Sequence, residues 1–424
     1  MLDTIESIRN DPKPRWGTFF GWDPELISDL PILSKKFLDD NFATDVAIGV
    51  IGQSGHVAWA NSKAFADAGV DESIEDANGG VFVRDGDGKL TGQLFEEPAI
   101  MRVMAYVPLP SAPEILKAIK DQNRYYASVG ITTVTDLAYM PNEALDSALK
   151  LVFDKEDAPS LYRVEHPSKN EASSTNKTQK AVKSTNTIAA CCPHLGFAAA
   201  TQYKNQRQGG RYCHGERACE QVLRAYEQVL VDDPTNRCRH RMEHLGLMTV
   251  EQIARAGKVN IGLSFFVDHL RFYASVYKTD LFGEERVNRL TPLSEATKNG
   301  VTWTIHQDHP TYPGDADPFA NMKTAITRTQ RDDPTHPYGP EYCATIDEVL
   351  KAYTINAAWQ LNLDAQLGSI TVGKKADLVV LTENPYHKDP FKLEDIKVVE
   401  TFLSGRRNNF AKMYSMGPGL NVMK

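Results

Sequence analysis

The stretch Arg241-Met242-Glu243-His244-Leu245-Gly246-Leu247-Met248-Thr249-Val250-Glu251-Gln252-Ile253-Ala254-Arg255-Ala256-Gly257-Lys258-Val259-Asn260-Ile261-Gly262-Leu263-Ser264 reads as strand, helix and strand in turn. Arg241 to His244 is a short strand end, Thr249 to Ala256 a helix, and Val259 to Ser264 the next strand. Downstream, Pro292 to Lys298 is helical, Val301 to His306 is a strand ending near Asp308, and Ile346 to Ala357 is helical again. Upstream, Glu220 to Val231 reads as a helix. Ile115 to Ser128 carries apolar residues at helical spacing, with Gly130 as its C-cap, and the β-branched run Ile131 to Asp136 follows. Asp45 to Ile51 reads as a buried strand, and a helix starts at Asn61. Repeated β-α units imply parallel strands joined by right-handed crossovers. Polar residues recur at the strand ends, at Asp136, His244 and Asp308. Both a (β/α) barrel and a doubly wound sheet place their chemistry there. The barrel is favoured, because several strand ends carry candidate groups and no glycine-rich nucleotide motif is present.

The chain has 424 residues, 42% apolar and 24% charged, with 47 basic and 55 acidic side chains for a net charge of −8. That size suits one large domain and a lesser one. The negative balance argues against a nucleic-acid or anionic-membrane binder, whose footprint is basic. No apolar run reaches the roughly 18 residues of a membrane span. The start, Met1-Leu2-Asp3-Thr4-Ile5-Glu6, lacks a basic and an apolar leader region, so a cytoplasmic protein is expected. Cys191, Cys192, Cys213, Cys219, Cys238 and Cys343 form no C-x-x-C pair, and free thiols are expected. Residues 167–211 are rich in Ser, Thr, Asn, Lys and Gln and read as a polar insertion. Residues 366–410 read as a small β unit.

Two sets of residues carry a family resemblance. Thr354-Ile355-Asn356-Ala357-Ala358, followed by Leu367-Gly368-Ser369-Ile370-Thr371-Val372-Gly373-Lys374-Lys375-Ala376-Asp377-Leu378-Val379-Val380-Leu381, resembles the ending shared by the amidohydrolase superfamily. Its YtcJ-like branch is indicated by Gly55-His56-Val57-Ala58-Trp59-Ala60-Asn61-Ser62 and Thr91-Gly92-Gln93-Leu94-Phe95-Glu96-Glu97. Gly130 to Asp136, Ser264-Phe265-Phe266-Val267-Asp268-His269 and His306-Gln307-Asp308-His309-Pro310 also match. The resemblance implies an α/β fold: an incomplete TIM-like (β/α) barrel over residues 1–358, and a small β-sandwich remnant over 359–424.

The resemblance also implies a metal-dependent hydrolase of non-peptide C–N bonds, of amide or formamide type, acting on a small molecule. A divalent metal, zinc first, would make hydroxide available near neutral pH, and an aspartate on the last strand would move the proton. The family supplies His-x-His from the first strand, a carboxylated lysine from the fourth, a histidine each from the fifth and sixth, and the aspartate from the eighth. By matching position, Asp308 is the catalytic and metal-binding aspartate and His244 the sixth-strand ligand. The plainer roles open to them are a helix N-cap for Asp308 and a core histidine for His244. In Tyr212-Cys213-His214-Gly215-Glu216-Arg217-Ala218, Tyr212 takes the fifth-strand ligand position, and His214, two residues on, faces the same way in an extended strand. His214 is a candidate third ligand or an ordinary polar residue. His269 and His56 match positions facing substrate, Glu97 a pocket-lining segment, and Arg328 a partner for a substrate carboxylate. Each also fits a plain loop, surface or ion-pair role. Trp59 is expected to pack, and His240 to lie on the surface.

Several family elements are missing. No His-x-His occurs, the lysine segment is absent with Lys204 an ordinary surface lysine, and the chain's start matches the family beyond its first strand. Metal affinity and turnover are expected to be impaired, and the other reading is a non-catalytic scaffold or binding protein descended from an amidohydrolase. A barrel lacking a strand exposes two edges. That leaves a marginal fold or a homo-oligomer open.

Overall fold

The computed structural model describes residues 1–11, 16–27, 29–136, 160–163, 210–232, 234–235, 238–309 and 314–408. Nearly all of the polar segment 167–211, with Lys204, Cys191 and Cys192, lies outside them. By contacts the chain divides into a unit of Met1–Ser111 with Asp308–Asp315, and a unit of Ala112–Gln307 with Ala316–Lys424. The sequence reading had placed a boundary at 358/359.

The first unit is built on one five-stranded sheet. Its strands are β1 (Gly17–Trp22), β2 (Ile48–Gly52), β3 (Val57–Ala60), β4 (Val81–Arg84) and β5 (Leu90–Phe95), in the order β1-β2-β3-β5-β4. Only β1 and β2 pair in parallel; the other neighbours are antiparallel. Asn61 explains why the helix expected there begins one residue later, at Ser62. It is buried, and its Oδ1 accepts from Ala64 N and Ile48 N, each at 2.9 Å. Its Nδ2 donates to the carbonyls of Ala43 and Val46, also at 2.9 Å. One side chain thus caps the helix and pins the entry to β2.

The second unit holds a parallel pair, β6 (Thr133–Asp136) and β7 (Ser160–Arg163), and a four-stranded parallel sheet. The latter comprises β8 (Gly210–Cys213), β9 (Arg241–His244), β10 (Gly262–Phe266) and β11 (Trp303–His306). Their spatial order follows the chain, with no reversal. That is how a barrel wall grows, whereas a doubly wound sheet reverses at a switch point. Among the described residues the strands form separate sheets and do not close a barrel. Met242, Leu263, Phe265, Trp303 and Ile305 face the main core, where they meet residues such as Val222, Ile253, Leu293 and Val349 of the covering helices.

The helix over 346–357 is divided into Ile346–Tyr353 and Ile355–Gln360, broken at Thr354, whose φ is −125° and ψ −94°. The break aims the second piece at the strand sheet. Asn356 donates to Trp303 O, and buried Gln360 bridges Leu263 O and the Thr304 hydroxyl. The small β unit is a three-stranded antiparallel sheet of β12 (Leu378–Leu381), β13 (Val398–Leu403) and β14 (Arg406–Asn408). Thr401 Oγ1 donates to Ala127 O at 2.8 Å, which ties it to the helix Ala112–Ser128. Gly130 has φ +82°, and a Cβ there would lie 3.1 Å from Val379 and Val398, so turn and packing both call for glycine. Among the described residues, Cys213, Cys219, Cys238 and Cys343 form no disulfide with one another. Among the described residues no helix is long and apolar enough to cross a membrane.

Candidate functional site

The carboxyl ends of β8 to β11 bring four histidines together. Ring centroids of His214 and His269 are 4.2 Å apart, those of His244 and His306 4.8 Å, His244 and His269 6.0 Å, and His214 and His244 6.5 Å. Tyr212 lies 4.3 Å from His244. The common face foreseen for Tyr212 and His214 is therefore seen in the rings both turn to His244.

The backbone makes this meeting possible. Alternation puts Arg241 and Glu243 on one face of β9, where they form a buried ion pair at 2.6 Å, and Met242 on the core face. His244 would follow Met242. Its φ of 76° breaks the alternation, and its ring stacks on Phe266 at 4.9 Å instead. A left-handed non-glycine residue at a strand end is locally strained and persists only where its surroundings enforce it. His306 also stacks on Phe266, at 5.2 Å and 14°, so one phenyl ring orients two imidazoles. Gly246 makes room for His214: a Cβ there would stand 2.2 Å from the imidazole Cε1.

A hydrogen-bonded line runs through the cluster. Ser264 Oγ lies 2.9 Å from His306 Nδ1, and His306 Nε2 lies 2.9 Å from His244 Nδ1. Burial, with some repulsion from His244, lowers the His214 pKa to about 4. Burial, then His214, His244 and His306, holds His269 well below the usual histidine range. These two rings are neutral at physiological pH. The Nδ1 of His214 is buried, with no hydrogen-bond partner among the described residues. In the sequence His306 is only a soft candidate. Its lead was the two-residue spacing to Asp308, which marks a shared face but not a shared ring cluster.

The other candidates are placed as follows. Asp308 has φ 49° and an exposed side chain, and it belongs to the first unit. His56, also in that unit, has Nδ1 2.9 Å from a Glu96 carboxylate oxygen, while Glu97 is exposed at the start of the next helix. Trp59 packs in the core as expected. Two expectations are corrected. His240 is buried, not superficial, and stacks on Tyr226 at 4.9 Å. Arg328 is buried and commits its guanidinium to the carbonyls of Tyr338, Thr291, Asn288 and Leu290, a structural tie rather than a group awaiting a carboxylate. Arginine fits that post because its fork of donors meets several acceptors at once.

The donor set can be tested against the family's metal. Among the described residues no three His, Cys, Asp or Glu side chains are arranged to hold a metal ion. Tyr212 stands at the fifth-strand position, and His244 Nδ1 is engaged by His306. A zinc site takes three or four protein ligands converging at about 2.0–2.3 Å. The described donors do not fit such a centre.

Unreversed parallel strands with covering helices, and a polar cluster at their carboxyl ends, define an α/β architecture of the barrel-wall kind. Comparison with known proteins makes this particular. The amidohydrolase family model matches residues 1–407. The putative amidohydrolase YtcJ of Bacillus subtilis is 24% identical over 447 residues, 95% of this chain and 81% of that protein. The N-substituted formamide deformylase of Arthrobacter pascens is 24% identical over 451 residues, covering 96% and 81%. The crystal structure of an uncharacterized metal-dependent hydrolase from Pyrococcus horikoshii has a TM-score of 0.63 at 17% identity, covering 92% of this chain and 81% of that one, so the two share a fold. The chain belongs to the amidohydrolase family and is a YtcJ-like member of that superfamily.

Proposed function

We propose that this protein hydrolyses a non-peptide C–N bond, of amide or formamide type, in a small molecule held at the histidine cluster. The observation that carries the reading is His244, at the family's sixth-strand position, held with His214, His269 and His306 where parallel strands end. Support for the bond type comes from the similarity to a formamide deformylase along nearly the whole chain. His244 and Tyr212 would bind and orient the scissile carbonyl, and the apolar wall of Phe266 would limit water. A divalent metal, zinc by resemblance, would supply an activated water where bound. The described donors form no seat for it, so we infer weak metal affinity and slow turnover.

The test is hydrolysis of a panel of N-formyl and N-acyl amines by the full chain, with and without added zinc, alongside metal analysis. Hydrolysis that falls about 100-fold or more in His244→Ala is the expected result. No hydrolysis under either condition would sink the reading. Saturable binding of a panel compound without turnover would instead mark a binding protein descended from an amidohydrolase.

A further inference from the structure

We propose that Ser264 and His306 are positioning residues that fix the tautomer of His244 through a single-file hydrogen-bond relay. The inference rests on His244 being the site residue of the reading above, but its geometry stands apart from any activity. A neutral imidazole carries one N–H and one bare nitrogen. His306 Nε2 and His244 Nδ1, 2.9 Å apart, share one proton between them. His306 Nδ1 and Ser264 Oγ, also 2.9 Å apart, share another. With neutral rings only two arrangements satisfy both bonds. In one, Ser264 donates to His306 Nδ1, His306 donates from Nε2, and His244 carries its proton on Nε2. In the other, His306 donates from Nδ1 to Ser264 Oγ and accepts from His244 Nδ1–H, which leaves His244 Nε2 bare. The rings change state together or not at all.

Three features hold the relay in line. Ser264 and Phe266 lie two apart on β10 and so share a face. Phe266 is in register with His306, and both imidazoles stack on its ring. Ser264 is buried, which favours keeping its hydroxyl paired within the protein. The consequence for the site is a defined His244 Nε2, either a donor to a carbonyl oxygen or a bare acceptor, set from Ser264 two side chains away. His306 thereby acts on His244 as outer groups act on a ligating histidine, by fixing which nitrogen is protonated.

The test is ring-¹⁵N spectroscopy of the full chain labelled at histidine, at neutral pH, with His244 and His306 assigned from their Gln variants. The expected spectrum shows each ring with one protonated and one bare nitrogen. Ser264→Ala should draw the two nitrogen resonances of both rings toward each other, and Ser264→Thr should restore the separation. Where Ser264→Ala does not fold, His306→Gln must move the His244 pair. The relay fails if His244 is already averaged in the unmodified protein, or if neither variant moves it. Locked tautomers in a chain that hydrolyses nothing would overturn the proposed function and leave the relay standing.

Discussion

At the site the decisive quantity is charge among buried imidazoles. His214 is ordinarily protonated at about 6.5, but in the fold only at about 4, through burial and then the neighbouring His244. Between those values the unfolded chain binds a proton that the folded chain refuses. His214 therefore contributes full stability above about pH 6.5, and loses it as pH falls toward 4. The loss is worth roughly 3 kcal/mol. Urea unfolding of the protein and of His214→Gln should show their midpoints moving apart in opposite order at pH 7 and pH 4.5, with the variant gaining on the parent in acid. Parallel pH profiles would refute this. Gly246→Ala tests the space beside the same ring. Its methyl would enter the imidazole at 2.2 Å, and rigid packing makes such intrusion cost about 1–3 kcal/mol. A thermal midpoint within a degree of the parent would show that the ring moves aside freely. His244 and His214 could be singled out from sequence because each closes a recognisable strand-end motif. For His306 the sequence offered only the spacing to Asp308, since its role in the cluster comes from the neighbouring strand's Ser264 and Phe266. Arg328 misled in the opposite sense: a charged residue after a helix suggests a surface, and only the fold shows four carbonyls turned toward it.

Among the elements, local chemistry governs the ends and tertiary contact governs the breaks. Thr249 and Gln252 form a capping box at the head of helix Val250–Lys258, with side chain and backbone bonded reciprocally. Thr249→Ala should cost about 1 kcal/mol, read as a lower denaturation midpoint with unchanged cooperativity. No change in midpoint would mean that packing alone holds that helix start. Such caps are written in adjacent residues, which is why this helix and the strand Arg241–His244 match their sequence reading closely. The second strand of the opening stretch begins later than expected, at Gly262, because Asn260 takes a left-handed turn with φ 52°. The helix break at Thr354 is likewise not a matter of propensity. It serves the contacts that Asn356 and Gln360 make with β10 and β11.

For the molecule as a whole, the segment Pro390–Asp395 is held to the second unit's core by a partly buried ion pair. Lys323 donates to Glu394 at 2.7 Å, Arg271 lies 3.4 Å from the same carboxylate, and Leu393 and Ile396 insert into the main core. Burial alone would raise the Glu394 pKa, but Lys323 and Arg271 outweigh it and hold it below the ordinary carboxyl value. That stabilisation is present above the unfolded carboxyl pKa and is lost as pH falls through the lowered one. Glu394→Gln leaves Lys323 without its countercharge; with Glu394 itself partly exposed, the destabilisation should be about 1 kcal/mol at pH 7. Equal stabilities of parent and variant at that pH would show the pair to be solvated. The sequence by itself determined the class: β-α alternation, a family signature at the C-terminus, and imidazoles at strand ends are all properties of short, contiguous segments. The tertiary structure decided which imidazoles meet and in what state. Strand register, a left-handed backbone at His244 and one phenyl ring between two strands bring distant side chains within 3 Å, and no local pattern encodes that distance.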